Sequence, residues 1–113
     1  MDILAIAKAH FNVRRHMAVP EWKDELGVPV VIWWKPISSL EMSKIQNMSK
    51  AKGETGVEYN VRLLIAKAEN EAGEPLFKVE DMAVMQASVD GMVVSRIASA
   101  IVGLDNPEDV EKN

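Results

Sequence analysis

The chain has two histidines and no cysteine, so any metal or proton-transfer site would have to be built around His10 and His16. These two fall on either side of an expected helix-to-strand boundary and form neither an i, i+4 pair nor a Cys/His cluster of the kind that holds zinc. Each reads as an isolated exposed or rim histidine. Ser38 and Ser39 offer hydroxyls, yet a serine becomes a nucleophile only with a base beside it, and Ser38 followed three residues later by Glu41 already has a role as a capping box. Glu80-Asp81 and Glu108-Asp109 look like paired carboxylates. Both pairs stand at expected helix starts, where the macrodipole favours negative charge by about 0.3–1 kcal/mol each, so they read as caps rather than as acid and base. No Gly-rich loop runs into Lys-Ser or Lys-Thr, which leaves no phosphate cradle for ATP-driven work. No catalytic, cofactor-binding or metal-ligating residue is assigned, and the chain is read as a binding protein rather than an enzyme.

Binding candidates come from two features. Gly53-Glu54-Thr55-Gly56, with Lys50 and Lys52 beside it, has the Gly-x-x-Gly form of the nucleic-acid clamp in KH domains. Glu54 would face the phosphates there, so a small nucleic-acid-binding module built on this loop is the alternative reading, and nucleic acid is not the expected partner. The second feature is soft and aromatic apolar side chains. There are seven methionines and three tryptophans, and methionine adapts its shape to apolar partners of varied sequence. Met82 and Met85, three apart on a short helix with little else to bury, are expected to be exposed. Trp33 and Trp34 are neighbours on an expected strand and must point to opposite faces. Whichever faces outward is a candidate anchor, as is Trp22. The partner-binding candidates are therefore Trp22, Trp33, Trp34, Met82 and Met85.

The elements that would position them are legible as pattern. Ile3, Leu4 and Ala7 recur at helical spacing, predicting a short opening helix before Asn12. Val13, Arg15, Met17 and Val19 alternate with their neighbours as a half-buried strand that ends at Pro20. Val28 to Trp34, rich in β-branched and aromatic residues, predicts a second strand that returns antiparallel after a 21–27 loop. The Ser38 capping box starts a helix with Met42, Ile45 and Met48 on one face, stopped by Gly53. Val57, Val61, Leu64, Ile65 and Ala68 predict an amphipathic helix ending near Glu71, before Gly73 and Pro75. A short helix from about Val79 to Gln86 follows. Ser88 is expected to cap the last one, which holds Val94, Ile97, Ala98 and Ile101. Gly91 then falls inside that helix, at a cost of about 1 kcal/mol relative to alanine.

Composition bounds the rest. The chain of 113 residues reads as one domain spanning 1–113, able to bury roughly 65% of its unfolded surface without a metal or disulfide. Absence of cysteine suits a cytosolic protein. With 17 acids against 13 bases, a net charge of -4, no overall basic field draws nucleic acid or anionic lipid. The apolar run Ile3–Ala9 begins after Asp2, has no basic n-region and is interrupted by Lys8, so it does not read as a signal peptide. Met92 to Leu104 is broken by Ser95, Arg96 and Ser99 and falls short of the roughly 20 residues of a bilayer span. The expected architecture is α+β: a small bundle of about four helices with a two-stranded antiparallel β-hairpin packed on one side.

One joint carries more information than the rest. Gly73-Glu74-Pro75-Leu76-Phe77 is a turn with an apolar pair, followed by the acidic helix start at Glu80-Asp81. The later helix closes at Gly103-Leu104, and the chain ends Asn106-Pro107-Glu108-Asp109-Val110-Glu111-Lys112-Asn113. With Val19-Pro20-Glu21-Trp22 upstream, this order of pieces resembles the tail assembly chaperones of long-tailed bacteriophages. The resemblance implies a chaperone that coats the tape measure protein, a long and mostly helical client, in the host bacterial cytoplasm and without ATP. It also implies a minor form, extended by ribosomal frameshifting near the end of the reading frame, that recruits tail tube protein. An adenine run encoding Glu111-Lys112-Asn113 would supply the slippery site. Self-association into a homo-oligomer is expected of a protein with exposed apolar surface, and no membrane partner is.

Overall fold

The computed structural model describes residues 2–104, so the Glu108-Asp109 cap and the Glu111-Lys112-Asn113 ending lie outside the described residues. Among these residues the architecture is α+β, with five α-helices, one more than expected, and a single two-stranded antiparallel sheet. In chain order the elements are α1 (Ile3–Phe11), β1 (Arg15–Lys23), β2 (Pro29–Trp34), α2 (Ser39–Ala51), α3 (Gly56–Lys67), a 3-10 turn (Val79–Asp81), α4 (Met82–Ser88) and α5 (Gly91–Ile101).

The hairpin pairs Arg15 with Trp34, Met17 with Ile32 and Val19 with Val30. Period-two alternation sends Met17, Val19, Ile32 and Trp34 into the core, while His16, Ala18, Val31 and Trp33 take the other face. The first strand does not end at Pro20. It runs on to Lys23 because the register shifts between Val19 and Lys23, and a proline, which has no N–H for a ladder, is tolerated at such an irregularity. Asp24 then makes the turn: its carboxylate accepts from the N–H groups of Leu26 and Val28, and Gly27 takes a φ of 79°.

The helix expected to reach Glu71 stops at Lys67. Ala68 is extended, and Glu69 exchanges two backbone hydrogen bonds with Trp33, at 2.8 and 2.9 Å. The open edge of β2 thus competes for this backbone and wins over helix propensity, a weak local preference. Arg14 clamps the turn that follows, donating to Glu69 Oε1 and to the carbonyls of Asn70 and Glu71.

Behind the sheet, α3 is the central helix, packed against α2, α4 and α5. Val61, Leu63 and Leu64 of α3 join Val93, Val94, Ile97, Ala98 and Ile101 of α5 and the inward face of the hairpin in one core. The Ser38 capping box forms as expected, Ser38 Oγ accepting from Glu41 N–H and Glu41 Oε1 accepting from Ser38 N–H. Lys67 is buried at the far end of α3, its Nζ 3.2 Å from both carboxylate oxygens of Glu41. Burial pushes the Glu41 carboxyl up, but the Ser38 N–H and the Lys67 ammonium outweigh it and hold the pKa below the ordinary value.

The last helix is capped by Asp90, not Ser88. Asp90 Oδ1 accepts from Met92 N–H, Ser88 closes α4, and Val89 is the extended residue between them. Gly91 is consequently the first residue of α5, where the interior penalty of a glycine does not apply. The helix closes at Gly103, with φ of 83°, through Leu104 N–H to Ser99 C=O and Gly103 N–H to Ala100 C=O. This is the Schellman arrangement.

Candidate functional site

The turn Asn70–Glu74 reverses the chain after α3 and delivers Leu76 and Phe77 against the far end of the hairpin. Asn70 N–H donates to Glu74 C=O at 2.9 Å, and Gly73 supplies the positive φ of 89° that the reversal requires. Phe77 meets Trp22 edge to face, with ring centroids 6.4 Å apart and planes at 76°. Between this aromatic pair and the α4–α5 joint lies a cavity of about 390 Å³, open to the surface. Its walls are Trp22, Val30, Leu76, Phe77, Met85 and Val89, together with the polar Ser88 and Asp90. It has the size of pockets that take small ligands or single apolar side-chain clusters.

Glu21 and Arg96 fix the flank of this groove. Two parallel hydrogen bonds, 2.6 and 2.8 Å, join the end of β1 to α5. The bonds from Arg96 hold the Glu21 carboxyl well below its ordinary range, at about 2, and Glu21 in turn raises the Arg96 pKa.

The five sequence candidates are distributed unequally. Trp22 is half-buried in the groove wall. Met85, expected to be exposed, is 4% exposed, because α4 turns it inward to form the groove floor against the core. Met82 is half-buried and packs on the core without lining the groove. Of the tryptophan pair, Trp34 faces inward at 0% exposure, which removes it as a surface anchor. Trp33 faces outward, as alternation requires, but its ring is already covered: His16 stacks on it at 4.3 Å and the Arg14 guanidinium lies 5.1 Å from its centroid. Leu76, Phe77, Val30 and Val89 were not singled out as site residues. The apolar pair after the Gly-x-Pro turn was visible in the sequence, but its apposition to Trp22 is tertiary.

The Gly53–Gly56 loop is a joint between helices. Gly53, φ 67°, closes α2 with Glu54 N–H to Ser49 C=O and Gly53 N–H to Lys50 C=O. Glu54 is engaged by Arg62, and Glu58 accepts from the N–H of Thr55, the N-cap of α3. A carboxylate therefore occupies the centre of the loop, where a phosphate clamp needs open N–H groups and cations. Among the described residues, no group of three or more His, Asp or Glu side chains is placed to hold a metal, and no helix is long and apolar enough to cross a membrane.

The site is thus an open groove walled mainly by apolar and aromatic side chains on an α+β fold. No family model and no curated protein matches the sequence. Among solved structures, the chain is similar to the tail assembly chaperone of bacteriophage HK97, at 24% identity, over 92% of this chain and 93% of that one, with a TM-score of 0.57. The likeness is one of fold, and it runs nearly end to end in both chains.

Proposed function

We propose that this protein is a tail assembly chaperone of a long-tailed bacteriophage, or a prophage copy of one. It holds apolar helical segments of the tape measure protein in the groove beside Trp22, Phe77 and Met85 until tube subunits displace it. The observation that carries this reading is the fold shared with the HK97 tail assembly chaperone over more than nine-tenths of each chain. The apolar groove supplies a place where a client side chain can be buried. Each such side chain returns roughly 1.5–3 kcal/mol, so two or three anchors give weak, reversible contacts that add up through many copies along one long client. Tube polymerisation then drives the exchange, and no nucleotide is consumed. The work takes place in the host bacterial cytoplasm. A frameshifted, extended form would tether tail tube protein to the same client. Codons for Glu111-Lys112-Asn113 interrupted by GAG or AAG would remove that part of the proposal.

Co-expression with the tape measure protein of the same phage tests the reading. The expected result is a soluble complex that survives purification, with the client aggregating when expressed alone. A client equally soluble without this protein, and no complex, would sink it.

A further inference from the structure

Among the residues that line the groove, Asp90 alone carries a formal charge. Its place follows from the joint between α4 and α5, where it is the N-cap of α5 and its Oδ1 accepts from Met92 N–H at 2.9 Å. The cap uses one carboxylate oxygen. Oδ2 takes no hydrogen bond from another described residue, and none of the ion pairs among the described residues includes Asp90.

Arg96 lies close enough to feel this charge, but its guanidinium is committed to Glu21 through hydrogen bonds of 2.6 and 2.8 Å. Glu21 is the main cause of the raised Arg96 pKa, and Asp90 adds a smaller rise. Two carboxylates thus share one guanidinium, which leaves one negative charge over beside an apolar surface.

That charge decides what can close over the groove. Asp90 is exposed in the free protein. A client segment that covers the groove strips water from the carboxylate, and an ion taken out of water without a partner is strongly disfavoured. An Asp or Glu on the client adds repulsion. A Lys or Arg answers the charge, because its stem lies along apolar surface while its head reaches the carboxylate. Volume sets the number of anchors. A cavity of about 150 Å³ holds one benzene-sized group, so about 390 Å³ takes about two large apolar side chains. On a helix, residues i and i+4 share a face, and a cation one further turn along stays on it.

We infer that the groove selects basic amphipathic segments: two apolar anchors one turn apart, with a Lys or Arg on the same face paired to Asp90. The inference rests on the groove being the client site, and it names the chemistry of the client that the groove takes. Acidic faces of equal hydropathy are disfavoured by the same carboxylate, so Asp90 supplies attraction and rejection together.

Calorimetric titration of the full chain with synthetic helical peptides of about 18 residues tests this. Three peptides share an alanine-rich host with leucines at i and i+4, and carry Lys, Gln or Glu one turn beyond the second leucine. A fourth keeps the Lys and has Ala for both leucines. In about 50 mM salt the Lys peptide is expected to bind about fivefold more tightly than the Glu peptide, with Gln between them, as suits one partly exposed ion pair. Asp90→Asn keeps the cap, since Asn caps a helix as well as Asp does. With a thermal midpoint near that of wild type, this variant should rank the three within about twofold, as wild type should in about 500 mM salt. Equal binding of the three leucine peptides by wild type, or binding of none, overturns the inference. So does a ranking that survives Asp90→Asn, or a leucine-free peptide that binds as well as its parent, which would show diffuse attraction to an anionic chain. Failure here and failure of the proposed function are separate results. Leucine peptides that bind without ranking leave the groove a client site, whereas a charge ranking with no complex from the co-expressed tape measure protein leaves the selection standing.

Discussion

Glu21 and Arg96 tie the groove-side end of β1 to α5, and the pair makes a prediction about acid stability. The folded Glu21 pKa is about 2 against an ordinary 4.5. A carboxyl depressed on folding stabilises fully above its unfolded value and loses that contribution as pH falls through the folded one. The thermal midpoint of wild type should therefore exceed that of Glu21→Gln above pH 4.5, and the two should converge as pH approaches about 2. Equal midpoints at neutral pH would show that the solvent-exposed pair contributes nothing, as many surface pairs do. The tryptophan neighbours separate in the same way. Burying the Trp34 ring is worth about 5 kcal/mol by area. Its indole N–H has no acceptor among the described residues, which gives back about 1–3 kcal/mol. Trp34→Ala should thus cost about 3 kcal/mol or more in denaturant unfolding. Trp33→Ala should cost roughly 1–2 kcal/mol, the value of its stacking on His16 and its contact with Arg14. Alternation made it legible that one of the two must face out. Which one depended on the strand register, and nothing local to the pair encodes that.

At the scale of elements, the helices and the hairpin were legible because each carries its own period and its own stops. Ser38 with Glu41, Gly53 and Gly103 act locally, and each stands where its chemistry predicts. The errors fall where a neighbour decided. Helix α3 stops at Lys67 because the β2 edge takes Glu69, and the strand passes Pro20 because a shifted register spares the missing donor. The boundary before α5 lies at Asp90 rather than at the expected Ser88, a difference that sets Gly91 at the helix start instead of two residues further in. Glycine substitutions check the corrected boundary. Gly91 begins α5, has no positive φ, and a Cβ there meets nothing within 4 Å. Gly91→Ala should stabilise by about 0.4–1 kcal/mol through the unfolded chain. Gly53→Ala, forced to a φ of 67°, should destabilise by about 1–2 kcal/mol. Asp90→Ala removes the cap and should cost about 0.5–2 kcal/mol. Denaturant midpoints of the three variants decide it, and a destabilising Gly91→Ala would return that glycine to the helix interior.

For the whole molecule, composition already favoured apolar binding over phosphate binding, since 17 acids face 13 bases and the one loop resembling a clamp carries Glu54. The groove itself was not legible, because Trp22 lies far in sequence from Phe77 and Met85 and meets them only when the Asn70–Glu74 turn folds the chain back. The two kinds of binding respond oppositely to salt. Phosphate contacts release counterions, so such affinity falls steeply between about 50 and about 500 mM salt. Apolar burial does not weaken with screening and lowers the heat capacity on binding. A helical tape measure segment titrated into this protein should therefore bind with a negative heat-capacity change and an affinity that varies less than about threefold over that range. Leu76→Glu, at a site 36% exposed, should lose this binding with the unfolding midpoint nearly unchanged. Met85→Glu should lose binding and fold together, because its carboxylate would enter the core. If single-stranded nucleic acid bound instead, with an affinity that collapsed on adding salt and survived Leu76→Glu, the apolar groove would not be the working surface and the Gly53–Gly56 joint would take its place.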